Sequence, residues 1–159
     1  MDAQIAAAVS KLAEALQSRG FTITTAESCT GGLIAKSLTD MSGSSAWFRQ
    51  AWITYSNEAK VQMLGVSEEI LEQQGAVSAA VVEAMAKGAQ SRSDASIAVA
   101  VSGIAGPGGA TAGKPVGTVW IAWASDSAVK SQKYLFAGDR QSVRAQATLA
   151  AVLESVKLC

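Results

Sequence analysis

Histidine is absent from this 159-residue chain, and cysteine occurs only at Cys29 and Cys159. Without imidazole, neither a Ser-His-Asp triad nor a Cys-His pair can be built, and two thiols cannot assemble the usual zinc ligand sets. Any hydrolytic base must therefore be lysine, carboxylate, tyrosine or a group on a bound hard cation; the expectation is chemistry with no metal and no cofactor. Neither sign of charge is in excess, with 13 basic and 13 acidic residues and a pI near 6.3. A nucleic-acid partner, which usually demands a basic surplus, is disfavoured. No apolar run approaches the roughly 18 residues of a membrane span. Met1-Asp2-Ala3-Gln4 also lacks the basic start of a secretory signal, so a cytoplasmic protein without a membrane partner is expected. In that compartment both cysteines read as reduced thiols.

What the chain does contain is 49% hydrophobic residues, enough for one well-buried core, so residues 1–159 are expected to form a single domain. Ile5, Val9, Leu12 and Leu16 mark one face of a helix over residues 2–18, stopped by Arg19-Gly20. Phe21 to Thr25 reads as a strand, and Leu33, Ile34, Ser37 and Leu38 as the next helix. Trp47 to Tyr55 is a second strand, leading into a helix through Lys60 to Leu64; Ser67 and Ser78 start two more helices. The continuous apolar run Ile97 to Val101 suits a strand covered on both faces, the expected centre of the sheet. Gly103 to Pro115, rich in glycine and holding both prolines, reads as an exposed loop. Val116 to Trp123 and Val129 to Phe136 then form an antiparallel hairpin, and Asp139 caps a last helix facing inward with Val143, Ala147, Ala150 and Leu153. The fold class is α/β: a three-layer α/β/α domain with a mixed sheet of about five strands.

Several segments could carry chemistry. The turn Thr25-Ala26-Glu27-Ser28-Cys29-Thr30-Gly31-Gly32 combines hydroxyls at Ser28 and Thr30, two glycines and a helix amino terminus, which would suit an anion; a plain helix cap explains it equally well. Gly108 to Lys114 fits seven positions of the phosphate-binding pattern G-x-x-x-x-G-K, but Pro115 stands where Ser or Thr belongs and a strand follows. Gly103 to Gly108 likewise leads into no helix, against a dinucleotide fingerprint. Tyr55 and Lys60 lie at a strand-to-helix junction, where a partly buried lysine could deprotonate a serine. Ser42-Gly43-Ser44-Ser45 could offer the nucleophile from a loop, Glu27 a carboxylate to orient a hydroxyl or ammonium, and Arg140 a counter-charge for phosphate. Each is also compatible with a turn, a cap or a solvated surface.

In order, Thr25 to Gly32, Gly43-Ser44-Ser45-Ala46-Trp47-Phe48, Thr54 to Lys60, Gly75-Ala76-Val77-Ser78 and Ser102 to Gly109 resemble the carboxy-terminal domain of the competence/damage-inducible protein CinA. The resemblance continues through Lys114 to Trp120 and Phe136 to Arg140, covering essentially the whole chain. It implies hydrolysis of nicotinamide mononucleotide to nicotinate mononucleotide and ammonia, as in the stand-alone nicotinamide-nucleotide amidases. The family's serine, lysine and tyrosine carry over onto Ser28 or Ser45, Lys60 and Tyr55. The expected arrangement has Ser45 as nucleophile, Lys60 as base and Tyr55 as proton relay or oxyanion donor; the two serines could exchange roles, or Lys60 could activate water. Ser28 with the amino end of the Thr30-Gly31-Gly32 helix would hold substrate or oxyanion, Glu27 would contribute to substrate binding, and Asn57, Ser102, Gly103, Gly106 and Arg140 would line the nucleotide site. The pyrophosphatase activity of the longer proteins' amino-terminal domain is not expected. Trp47 and Phe48, read as exposed, suit a homodimer or higher homo-oligomer. The alternative is a non-catalytic nucleotide-binding or competence-related regulatory module.

Overall fold

The computed structural model describes residues 1–159. Its elements run α1 (Asp2–Arg19), β1 (Ile23–Glu27), α2 (Leu33–Thr39), a 3-10 turn (Ser44–Ala46), β2 (Phe48–Ile53), α3 (Asn57–Leu64), α4 (Glu68–Gln74), α5 (Ala79–Ser93), β3 (Ile97–Gly103), β4 (Thr118–Ser125), β5 (Val129–Leu135) and α6 (Arg140–Val156). The five strands lie in the order β2-β1-β3-β4-β5, with β3 central as its apolar run predicts. β2, β1 and β3 are parallel, and β4 and β5 are antiparallel. The chain is α/β, and no helix is long and apolar enough to cross a membrane.

Strand alternation divides the interior into two unlike halves. Ile97, Val99 and Val101 of β3, with Val119, Ile121 and Trp123 of β4, face one core shared with α1, α2 and α6. Ala98, Ala100, Ala122 and Ala124 face the other, where the small side chains let α5 lie close to the sheet through Val81, Val82 and Met85. That layer is tight: a Cβ on Gly88 of α5 would collide with the carbonyl of Leu64 at the end of α3.

Several boundaries differ from the sequence expectation for identifiable reasons. β1 starts at Ile23 because Gly20, at φ 64°, closes α1 and the N–H of Phe21 is drawn back to Leu16 O at 2.9 Å. α6 presents Val143, Ala147, Thr148, Ala151, Val152 and Ser155 inward, while Leu153 is exposed. Of the expected face, Val143 and Ala147 are buried and Ala150 packs at the margin of the core, so only Leu153 departs from it. The glycine-rich loop is not wholly exposed either: Ile104, Ala105 and Gly106 are buried, with Ile104 hydrogen-bonded to Thr118 and Gly117. Trp47, at 2% exposure, and Phe48 belong to the core and offer no aromatic surface to a second copy.

The carboxyl ends of β1, β2 and β3 share one edge of the sheet. From β1 the chain leaves through α2 to β2 on one side, and from β2 through α3, α4 and α5 to β3 on the other. The connections therefore diverge beside β1 and β3, the position at which open α/β sheets form a ligand crevice.

Candidate active site

Alternation sends Glu27 and Ser28 to opposite faces of the sheet. Glu27, fully buried at the end of β1, turns toward α2 and fills its carboxylate with donors. Oε1 accepts from Thr30 Oγ1 at 2.6 Å and Ile34 N at 2.9 Å; Oε2 accepts from Ala35 N at 2.9 Å and, at 3.4 Å, from Thr25 Oγ1. The amino end of α2, expected to receive substrate, is thus occupied by the protein's own carboxylate. Thr30 is spent on the same cluster. Gly31 and Gly32 carry φ of 57° and 101°, conformations that let the turn fold back over Glu27.

Ser28 faces α3. There Ser56 caps the helix, its Oγ accepting from Ala59 N at 3.0 Å, and directs the first turn so that Lys60 runs back into the protein. Lys60 is 1% exposed. Its Nζ donates to Thr54 O at 2.8 Å, Ser28 Oγ at 3.0 Å, Tyr55 O at 3.3 Å and Ser56 O at 3.5 Å. No carboxylate pairs with it, so burial dominates and lowers its pKa to about 8. Roughly a tenth of the molecules then hold a neutral Lys60 at pH 7, ready to accept a proton from Ser28. The neighbouring Cys29 thiol is pushed by burial up to about 12 and stays protonated, which removes it as a competing nucleophile.

Above this pair opens a cleft of about 220 Å3, lined among others by Ser28, Tyr55, Asn57, Lys60, Ser102 and Arg140. Gly103, Ala105, Ala76 and Val77 complete its walls. Tyr55 is 61% exposed, and its phenol points to the rim, accepting from Arg140 Nη2 at 3.2 Å; it is the Tyr55 carbonyl that touches Lys60 and Ser28. Arg140 also donates from Nη1 to Gly106 O at 2.8 Å, so one guanidinium bridges two sides of the mouth. Of the expected set, Ser28, Lys60, Tyr55, Asn57, Ser102, Gly103, Gly106 and Arg140 come together, whereas Glu27, Thr30, Gly31 and Gly32 form the supporting turn.

Ser45 is not brought to Lys60. It sits on the 3-10 turn before β2, exposed, at the amino edge of the sheet. The six residues of β2 separate it from Tyr55 by roughly 20 Å. Arg144 was missed. One turn after Arg140 on α6, it donates from Nε to Cys29 O at 3.0 Å and from Nη2 to Thr30 O at 2.9 Å, holding the backbone that follows Ser28. Its spacing of four from Arg140 is the signal that could have found it. A larger groove of about 470 Å3 lies between α1, α2 and α6, but its lysine is exposed and paired with Asp40. It contains no buried base.

The family model described as CinA C-terminal domain matches residues 5–158. The chain belongs to the CinA C-terminal domain family. Among curated family members, the nicotinamide-nucleotide amidohydrolase PncC of Escherichia coli K12 is 53% identical over 148 residues, covering 92% of this chain and 90% of that protein. PncC of Pseudomonas putida is 54% identical, covering 89% of each. The competence/damage-inducible protein CihA of Agrobacterium tumefaciens, whose crystal structure is known, superposes with a TM-score of 0.95 at 41% identity, covering 98% of this chain and 95% of that one.

Proposed function

We propose that this protein hydrolyses the carboxamide of nicotinamide mononucleotide to nicotinate mononucleotide and ammonia, a step in pyridine nucleotide salvage, in the cytoplasm. Two things support the substrate: the names of relatives more than half identical over most of their length, and a cleft that carries Arg140 and Lys60 but no acidic residue. The observation that carries the mechanism is the 3.0 Å contact between Lys60 Nζ and Ser28 Oγ in a buried setting without a carboxylate.

Neutral Lys60 takes the Ser28 proton as Oγ attacks the carboxamide carbon. The resulting Lys60 ammonium lies beside the tetrahedral centre and returns a proton to the departing nitrogen, so ammonia rather than an amide anion leaves. Water then cleaves the ester on Ser28, with Lys60 again the base. The N–H of Cys29 donates to no other residue and follows the nucleophile directly, a position from which it can meet the oxyanion. Arg140 at the mouth binds the substrate phosphate by exchanging its contacts to Tyr55 and Gly106 for phosphate oxygens. Tyr55 serves as a rim residue and, through its carbonyl, as part of the cradle for Lys60.

The test is ammonia release from nicotinamide mononucleotide by purified protein in excess chelator, beside Lys60→Ala. Release by the wild type and its loss in the variant is the expected result. A folded wild type that binds the nucleotide without releasing ammonia would overturn the reading in favour of a non-catalytic nucleotide-binding module. Nicotinamide riboside, which lacks the phosphate, should be turned over with a strongly raised KM; equal KM values would remove Arg140 from the phosphate role.

A further inference from the structure

The register of β1 on β3 pairs Glu27 with Val101, and the ladder runs one step further through Ser28 N donating to Val101 O at 3.0 Å. Continued by one residue, it sets Ser28 beside Ser102. By alternation both side chains point to the same face, the one occupied at positions 98 and 100 of β3 by alanine. Ser102 is 1% exposed and lines the cleft, yet its hydroxyl makes no hydrogen bond within the chain. Its oxygen is not sealed in as Thr54 Oγ1 is, the one fully buried hydroxyl without a partner, but opens into the cleft beside Ser28 and lacks a protein partner. A hydroxyl kept without one, in a face otherwise filled by alanine and next to a nucleophile, awaits a partner that arrives with the substrate.

The two sides of Ser28 differ. On the β2 side stands Lys60, whose Nζ reaches Ser28, Thr54, Tyr55 and Ser56 but not Ser102. Ser102 on the β3 side therefore has no base to activate it, and it keeps its proton. We propose that Ser102 is a catalytic residue of the amidase reaction, donating its hydroxyl hydrogen bond to the carboxamide oxygen as that oxygen becomes an oxyanion. The inference rests on the amidase reading above. When the Ser28 Oγ–carbon bond forms, the carbonyl electron pair moves onto oxygen and toward Ser102, while the nitrogen faces Lys60. When the carbon–nitrogen bond breaks, the pair returns from oxygen, nitrogen leaves as ammonia with the Lys60 proton, and Ser102 is unchanged.

The experiment compares wild type, Ser102→Ala and Ser102→Thr in steady-state turnover of nicotinamide mononucleotide. It adds binding of two nucleotides: the product acid, and an analogue carrying an aldehyde in place of the carboxamide, which forms a tetrahedral adduct with Ser28. Expected for Ser102→Ala are a kcat lower by roughly a hundredfold or more with KM little changed. Affinity for the aldehyde should fall by a comparable factor while product affinity holds. Ser102→Thr, which restores a hydroxyl, should recover most of the kcat and of the aldehyde affinity. A Ser102→Ala protein whose kcat stays within roughly threefold of an active wild type overturns this proposal alone. So does equal weakening of aldehyde and product, which would mark an ordinary binding contact. A wild type that releases no ammonia overturns the amidase reading and this proposal with it. Should Ser102→Ala fail to fold, Ser102→Thr decides: a folded Thr variant with kcat reduced as far as a hundredfold and aldehyde and product weakened alike counts against the role.

Discussion

After β1 the chain closes its turn on a carboxylate, and after β2 it closes on an ammonium. Both charges are buried and neither has a counter-ion, so each is stabilised by hydrogen bonds alone. Glu27 is saturated: two hydroxyls and two backbone N–H groups occupy its lone-pair directions, and nothing remains for a ligand. Lys60 is supplied with carbonyls and one hydroxyl, which accept its protons without neutralising its charge. Losing a proton leaves it with two N–H donors for the carbonyls and a lone pair for Ser28. Neutralisation therefore relieves a burial cost at Lys60, whereas the Glu27 carboxylate is already satisfied by its four donors. In the proposed mechanism the first turn is a frame and the second a base, with Ser28 seated by the one and activated by the other.

Removing the base should have the largest effect. Lys60→Met is expected to lower ammonia release by about a thousandfold, within the range for loss of a general base. Because it takes a charge out of the interior, it should cost no stability at pH 7 in urea unfolding. A variant that loses activity only because it unfolds would break the comparison. Next comes the frame: Glu27→Ala strands four donors and should lower the unfolding free energy by about 3 kcal/mol, with Glu27→Gln recovering part of it. Unchanged stability in Glu27→Ala would mean that the turn is held chiefly by Arg144.

The base also predicts pH behaviour. Its folded pKa, about 8, lies below its unfolded value, so kcat should rise about tenfold per pH unit below that point and level off above it. In stability the sign is set by the same shift: the unfolded chain binds more protons between about 8 and 10.5, so wild-type stability should gain on Lys60→Met as pH rises through that window and lag it at neutral pH. A flat rate profile from pH 6 to 9 would exclude Lys60 as the titrating base. The smallest effect is expected at Ser45→Ala, with activity unchanged and stability within about 0.5 kcal/mol of wild type. A large loss of turnover there would mean that the exposed turn before β2 reaches a site in another copy of the chain.

Much of the site was legible before the fold was known, because its residues sit in motifs that mark strand ends. Ser28, Tyr55, Asn57, Lys60, Ser102 and Gly103 were all placed at such junctions, and β1, β2 and β3 deliver them to one edge. The error at Ser45 came from treating any serine-rich loop as equivalent; only the direction of β2 shows that this loop enters the strand while Tyr55 leaves it. The misreading of Glu27 had a similar cause. A helix amino terminus attracts anions in general, and nothing local says that the anion is already present in the chain seven residues before Ile34.

The sequence by itself determined the elements, since strand and helix periods, the caps at Ser56, Ser67, Ser78 and Asp139, and the absence of histidine are all local or compositional facts. Only the tertiary structure decided which charge is enclosed by donors and which lies against a serine at the floor of a cleft. That depends on a lysine buried against a serine 32 residues away and on the parity of neighbouring strands, and burial and register exist only once the sheet has formed.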